Sequence, residues 1–378
     1  MSQHPLRIGF LGGALNSAVG YAHFVSCRMD ARWSVDAGCF SRQAALNGET
    51  AGAYGVPEAR VYADIPALLE AERERLDAVA VLTPTPLHAE HVVMALKAGY
   101  PVVCEKALAT SSAEVATIEA AVRDSAGFLA VTFNYSGYPM VRELRNYIRR
   151  GGLGRVRQIQ IEMPQEGFVR LSVSGQPLQP QSWRLEDYTV PTISLDLGVH
   201  LHHLVHFLTG AHPREVIADQ STQGNFAGLI DNVMGMAHYT DDLRVQFWFS
   251  KVALGYRNGL RVRVFGNKAS AEWHQMNPEL INLAFNDGGA AVLQRGAEGL
   301  AIANQTRYNR FKAGHPAGFT EAFANLYRDI ADVLVASADD ACEDGPASFV
   351  FGAEHAGEGL RLMESLAMSS QTRAWQLV

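Results

Sequence analysis

Cysteine is scarce. Cys27, Cys39, Cys104 and Cys342 are the only four in 378 residues. No two have the spacing of a metal knuckle or a CxxC redox pair, so a disulfide scaffold is excluded and buried, reduced thiols in a cytosolic protein are expected. Long hydrophobic runs are missing too. No stretch approaches 18 apolar residues, so no membrane span is expected. The opening MSQHPLRIGFLGG has one Arg and no long apolar core before its first strand pattern, so no secretory leader is expected. Neither sign of charge dominates: 32 Lys and Arg stand against 39 Asp and Glu, a net −7 spread along the chain. Nucleic acid and anionic membrane are therefore not the expected partners. With 48% hydrophobic and 19% charged residues, disorder and coiled coil are excluded. Internal repeats and low-complexity segments are absent. At roughly 150 residues per domain, two domains are expected, with a core that needs no staples.

The first third alternates short apolar runs with helical patterns. Leu6 to Gly12, Ser34 to Phe40, Ala78 to Leu82, Pro101 to Cys104 and Phe128 to Phe133 are continuous runs, which suit strands covered on both faces. Between them, residues 88–98 place Val92, Val93 and Leu96 on one face with Gly99 as a C-terminal cap, and Ser111 with Glu114 forms a capping-box pattern. Strand and helix in alternation predict a doubly wound parallel sheet over 1–133. After residue 133 the pattern changes. A helix over 139–150 leads to Gln158–Met163, a two-residue alternation. Strand signals recur at 214–221, 231–239, 243–252, 261–266 and 280–285, after a helix at 194–209. Residues 134–378 therefore read as an α+β domain with a large, mostly antiparallel open sheet. Segments 165–182 and 286–316 read as loops. Phe319, Phe323, Leu326, Ile330 and Val333 mark a long amphipathic helix, and the last helix is expected to pack back on the first domain.

Several residues carry chemistry in this frame. The turn from Gly9 to Gly20 offers a strand, glycines and a helix N-terminus, as a pyrophosphate requires; an ordinary glycine turn is the alternative. Its spacing departs from Gly-x-Gly-x-x-Gly, because Ala14 holds the second glycine's place. Gly12, Gly13, Ala14, Asn16 and Ser17 are the candidate cofactor contacts. The second strand ends Phe40-Ser41-Arg42 without an acid for the adenosine ribose, which leans towards NADP unless Arg42 is only a surface charge.

Thr83-Pro84, His88, Ala98-Gly99 and Glu105-Lys106 together resemble the Gfo/Idh/MocA family, named for glucose–fructose oxidoreductase and inositol dehydrogenase. The match continues at Trp183-Arg184, at Ser194 to His200 and at His315 to Phe323, so it covers nearly the whole chain. The resemblance implies an NAD(P)-dependent oxidoreductase that moves hydride between nicotinamide and a ring secondary alcohol of a sugar, cyclitol or nucleotide sugar. It implies catalytic roles for Lys106, which would stabilise alkoxide, for His200 as general acid/base, and for Asp196, one helical turn earlier, as its orienter or a substrate ligand. Thr83, Pro84, His88, Glu105 and Lys106 would join the cofactor site; Tyr135, Trp183, Arg184 and His203 would line the substrate site. A cytoplasmic homodimer or homotetramer is implied, with the aromatic strand at 245–249 facing a partner subunit. Two further reactions stay open on this fold: a glycosidase that uses transient oxidation, and a dinucleotide-binding regulator without turnover.

Two departures from the family pattern bear on the site. Ala107 replaces the usual proline after the lysine, and a trans bond is expected there because cis costs roughly 3–4 kcal/mol before a non-proline residue. His203 stands where relatives commonly have an acid. His202 and His206 lie one helical turn apart, a spacing that suits a metal pair, but no acid or cysteine nearby apart from Asp196 completes a set, so no metal is expected.

Overall fold

Every continuous apolar run in the first third becomes a strand of one parallel sheet. β1 (Leu6–Gly12), β2 (Trp33–Cys39), β3 (Ala78–Leu82), β4 (Val102–Cys104) and β5 (Leu129–Val131) lie in the order β2-β1-β3-β4-β5. All four pairings are parallel. A parallel bridge from Gly38 to Val61 flanks β2 on its outer side, at the place of the third strand in a Rossmann order. This computed structural model describes residues 4–336 and 345–378, so Cys342 lies outside the described residues.

Helices α1 (Gly20–Arg28), α2 (Ala44–Tyr54), α3 (Ile65–Ala71), α4 (His88–Lys97) and α5 (Ser112–Ser125) connect these strands. Asp64 caps α3 by accepting from Ala67 N at 2.8 Å. Ser111 caps α5 through Glu114 N, but the return arm of the box closes on Thr110: its N and Oγ1 each donate to Glu114 Oε2 at 2.8 Å. Gly99 ends the α4 segment at φ 88°, where a side chain would be strained.

The chain divides into two compact units: Met1–Gly137 with Phe319–Gly357, and Tyr138–Gly318 with Glu358–Val378. The first unit thus includes the amphipathic helix α8 (Phe319–Val335). Leu326, Tyr327, Ile330 and Ala331 of α8 join Phe10, Phe24 and Trp33 in one buried cluster. Trp33 Nε1 donates to the Tyr327 carbonyl at 2.8 Å, which satisfies the indole in an otherwise apolar core.

The second unit is built on nine strands. β6 (Val156–Pro164), β7 (Pro213–Ser221), β8 (Asn232–Tyr239), β9 (Arg244–Ser250), β10 (Arg261–Gly266), β11 (Ala269–His274), β12 (Leu280–Phe285), β13 (Ala290–Gln294) and β14 (Gln376–Leu377) run in the order β13-β12-β11-β10-β6-β9-β8-β7-β14. All pairings are antiparallel except β6 with β9. β13 falls in the stretch 286–316, which reads as loop in sequence: its residues are mostly exposed and carry no alternation, so only pairing with β12 defines it. Along β6, Ile159, Ile161 and Met163 are buried, and Gln160 and Glu162 face the other way. Along β9, Phe247 and Phe249 are buried, while Trp248 shares the second face with Met234 and Met236, both about half exposed. Helices α6 (Pro139–Arg149), α7 (Val199–Thr209) and α9 (Ala353–Thr372) complete the described helical structure. The helix expected at 194–209 begins with a π turn over Ser194–Gly198.

Cys27, Cys39 and Cys104 are buried and free. Burial pushes Cys27 up to about 12 and Cys39 to about 11, and it raises Cys104 well above its ordinary value. Peptide-resolved alkylation at neutral pH should leave these three thiols unmodified in the native protein and label them fully after denaturation. Gly20 packs so closely on the turn before it that an added Cβ would stand 2.2 Å from Gly13 O. Gly20→Ala should therefore lower stability by about 1–3 kcal/mol, read as a lower thermal midpoint.

Candidate functional site

The turn after β1 is shaped by backbone demands. Gly12 and Gly13 take φ of 88° and 76°, and a Cβ on Gly12 would meet the Leu82 carbonyl carbon and oxygen and Thr83 N at 2.8 Å. The ends of β1 and β3 thus come together at the sheet's switch point, where open α/β sheets bind ligands. Tyr54 OH donates to Gly13 O at 3.1 Å, and the Tyr54 ring stacks on Phe24 at 4.1 Å. Ser17 Oγ accepts from Gly20 N at 3.1 Å and so caps α1 from inside the turn. Ala14 is buried; Leu15, Asn16 and Ala18 are exposed. The first turn of α1 carries no acid, so its amide dipoles keep a positive potential suited to a pyrophosphate. The residues therefore fit a dinucleotide despite the loose glycine spacing. At the end of β2, Asn47 Oδ1 accepts from Phe40 N at 2.8 Å and Ser41 N at 3.3 Å, which holds the backbone that carries exposed Arg42.

The ends of β3 and β4 carry the next group. Thr83 Oγ1 lies 3.0 Å from His91 Nδ1, and Pro84 is exposed. His88 is fully enclosed: Nδ1 is 2.7 Å from Ala107 O and Nε2 is 2.7 Å from Thr83 O. Burial holds its pKa below the ordinary value. The neutral ring donates to one of these carbonyls; donation to both needs the imidazolium, which burial opposes. The Lys106–Ala107 bond is cis, which corrects the expectation of trans. Its surroundings decide the isomer: Ala107 is buried and its carbonyl faces His88, a tertiary contact that the local preference for trans does not include.

Glu105, just before half-buried Lys106, is itself buried. His23 Nε2 lies 2.9 Å from Glu105 Oε1, and Thr132 Oγ1 donates to the same oxygen at 2.5 Å. His23 Nδ1 is in turn 2.8 Å from the Tyr327 hydroxyl. Burial alone would raise the Glu105 carboxyl; the His23 hydrogen bond and charge, with Lys106 and Thr132, turn the balance and hold it below the usual range. His23 escaped the sequence reading because a histidine inside a helix carries no local signal of a partner 82 residues away. Tyr135, also in this unit, is buried in a short turn over Asn134–Gly137.

In the second unit, the structure brings Trp183, Arg184 and Asp196 together. Arg184 Nη1 and Lys251 Nζ each lie 2.5 Å from Asp196 Oδ2, and the Arg184 guanidinium covers the Trp183 ring at 4.4 Å. Lys251 is 7% exposed, and Asp196 gives it a close counter-charge. The lysine follows β9 directly; in sequence it falls within the strand signal at 243–252, and nothing local marks a partner 55 residues away. Asp196 sits in the π turn, a backbone form frequent at functional sites, and His200 follows in the first turn of α7. His200 and His203 are both buried.

Further along α7, His202 Nε2 stands 3.2 Å from Glu358 Oε1 of α9, and His212 Nδ1 stands 2.6 Å from Oε2. Burial, then the charge of His202, lowers His206 to about 4 against the opposing effect of Glu358. Glu358 is at about 2: burial would raise it, and the His202 and His212 contacts outweigh that. Glu358 is the acid that the His202–His206 pair lacked in sequence.

His88 and Glu105, two of the lowered groups of the first unit, make stability fall with acid. His88 contributes fully above an unfolded value of about 6.5, and that contribution is lost as pH falls through its lower folded value. Glu105 contributes fully above about 4.3 and loses its share as pH falls further. Thermal midpoints should therefore begin to decline below about pH 6.5 and steepen below about pH 4.3; Glu105→Gln should start from a lower midpoint at neutral pH and show a weaker second decline.

Two family models cover most of the chain. Residues 6–133 match the oxidoreductase family with an NAD-binding Rossmann fold, and residues 141–272 match a GFO/IDH/MocA C-terminal domain. An uncharacterized oxidoreductase of Bacillus subtilis, YfiI, is 29% identical over 98% of this chain and 96% of its own length. The inositol 2-dehydrogenase of Rhizobium meliloti is 29% identical over 75% of this chain and 80% of its own. An inositol dehydrogenase homolog from Azotobacter vinelandii, solved with NADH and myo-inositol, superposes with a TM-score of 0.87 at 27% identity, covering 99% of this chain and 98% of that one. Among the described residues, no helix is long and apolar enough to cross a membrane. With its parallel dinucleotide-binding sheet, its large open sheet and the matches over both, the chain belongs to the Gfo/Idh/MocA family of NAD-binding oxidoreductases.

Proposed function

We propose that this oxidoreductase moves hydride between a nicotinamide dinucleotide and a ring secondary alcohol of a cyclitol, sugar or nucleotide sugar. The observation that carries the proposal is the placing of Lys106 directly after a buried, paired carboxylate at the end of β4, in a chain that also sets Asp196 and His200 on one π-to-α turn. The inositol dehydrogenases among its relatives support the substrate class. The bound nicotinamide would serve as acceptor or donor of hydride. Lys106 stabilises the alkoxide that develops as hydride leaves the carbinol carbon. His200 takes the hydroxyl proton and returns it in the reverse direction. Asp196, clamped by Arg184 and Lys251, orients a substrate hydroxyl, and Tyr135, Trp183 and His203 shape the rest of the substrate site. The glycine turn, Ser41 and Arg42, and Thr83 with Pro84 hold the dinucleotide, while His88 and Glu105 fix the backbone beneath it.

The absence of an acid after β2 supports NADP as the preferred dinucleotide, with Arg42 beside the 2′-phosphate. The open face of the nine-stranded sheet, with Met234, Met236 and Trp248, supports a homodimer or homotetramer. The buried thiols suit a cytoplasmic protein.

Absorbance at the reduced-nicotinamide band should report turnover with at least one member of a panel of cyclitols, sugars and nucleotide sugars, tested with both dinucleotides. No signal in either direction, with a sample shown free of tightly held cofactor, would count against the proposal. Lys106→Ala and His200→Ala should each lower kcat by about 10²–10⁴-fold, with a smaller change in KM.

A further inference from the structure

We propose that His206, His212 and Glu358 form a binding site for a divalent zinc ion, apart from the residues assigned to hydride transfer. The three come from different places in the chain. His206 lies in the last turn of α7. Gly210, at φ 70°, ends the helix and turns the chain back, and His212 follows so that the two imidazole centres stand 5.0 Å apart. Glu358 reaches them from α9. One ligand atom from each of the three lies within 4.8 Å of the others.

The spacing suits a small tetrahedral ion. Bonds of about 2.0–2.1 Å from zinc to nitrogen and oxygen put neighbouring ligand atoms about 3.3 Å apart. Glu358 Oε2 is 2.6 Å from His212 Nδ1, and Oε1 is 3.9 Å from His206 Nδ1. With all three ligand atoms within 4.8 Å of one another, side-chain rotations are needed to bring them to that spacing around an ion. His206 Nδ1 would exchange its long 3.3 Å contact to the Ala211 carbonyl for the metal. His212 would exchange its short hydrogen bond to the carboxylate for a metal bond through an unprotonated Nδ1.

A supporting shell is present. His202 is buried, with Nδ1 3.2 Å from the Tyr239 hydroxyl and Nε2 3.2 Å from Glu358 Oε1. It therefore steers the carboxylate from behind, as outer partners do for metal ligands. His212 is the open side: its side chain is 55% exposed, which supplies an entry path and room for water as fourth ligand. Imidazole and carboxylate together suit zinc better than the hard cations calcium and magnesium. The ion would tie the turn after α7 to α9 and add stability that grows with the logarithm of free zinc above its dissociation constant.

The test uses the full chain, stripped with chelator and titrated with zinc chloride by calorimetry and thermal melting. One ion per chain and a rise in thermal midpoint are expected. His212→Ala and Glu358→Gln should each weaken zinc binding at least about tenfold and lose the zinc-induced rise, measured against the variant's own metal-free midpoint, which the loss of the 2.6 Å contact lowers; His315→Ala, at an exposed histidine elsewhere, should change neither. Cobalt in place of zinc should give the visible absorption of a four-coordinate ion, lost in His212→Ala. Binding well below one ion per chain, or binding unchanged by His212→Ala, would show a hydrogen-bonded histidine–glutamate cluster without a metal role and would overturn the proposal.

Discussion

A carboxylate buried beside a lysine organises the first unit. Removing the Glu105 charge from water is costly unless partners replace the lost hydration, and those partners must come from several elements at once. α1 supplies His23, the end of β5 supplies Thr132, and α8 supplies Tyr327 behind His23. Three segments far apart in sequence are thereby held to the end of β4, the point from which Lys106 emerges. The inclusion of α8 in the first unit follows from the same need, together with the apolar cluster around Trp33 and Tyr327.

The second unit repeats the logic around another carboxylate. Asp196 takes two cations on one oxygen, Arg184 from the loop before it and Lys251 from the end of β9. The Arg184 guanidinium is weakly hydrated and lies over Trp183, so it tolerates burial better than an ammonium would. Lys251 has the Phe168 ring at 5.2 Å as well as Asp196. Carrying Asp196 on a π turn rather than an α turn changes its angle to His200, so the four-residue spacing seen in sequence does not by itself fix how the two side chains meet.

How much was legible follows from the range of each interaction. Strands β1, β3 and β6 and helix α4 were readable because burial on both faces, burial on one face and a helical stripe each leave a periodic trace in consecutive residues. β13 left none, since its residues are mostly exposed and it exists through pairing with β12. The Ser111–Glu114 box was recognised, yet its return hydrogen bonds go to Thr110, one residue earlier, because side-chain reach rather than spacing selects the partner. The Lys106–Ala107 bond opposed its local preference, as a tertiary contact can.

By itself the sequence determined the order of elements, the two kinds of sheet and the identity of the residues able to do chemistry, since these depend on side-chain type and near-neighbour pattern. Only the tertiary structure decided which charges meet. His23 finds Glu105, Lys251 finds Asp196 and Glu358 finds His212 and His202 across separations of 82, 55, 146 and 156 residues, too far for any local pattern to record. The physical reason is that a buried charge requires a partner but does not specify where in the chain that partner lies; the topology of the two sheets supplies the address.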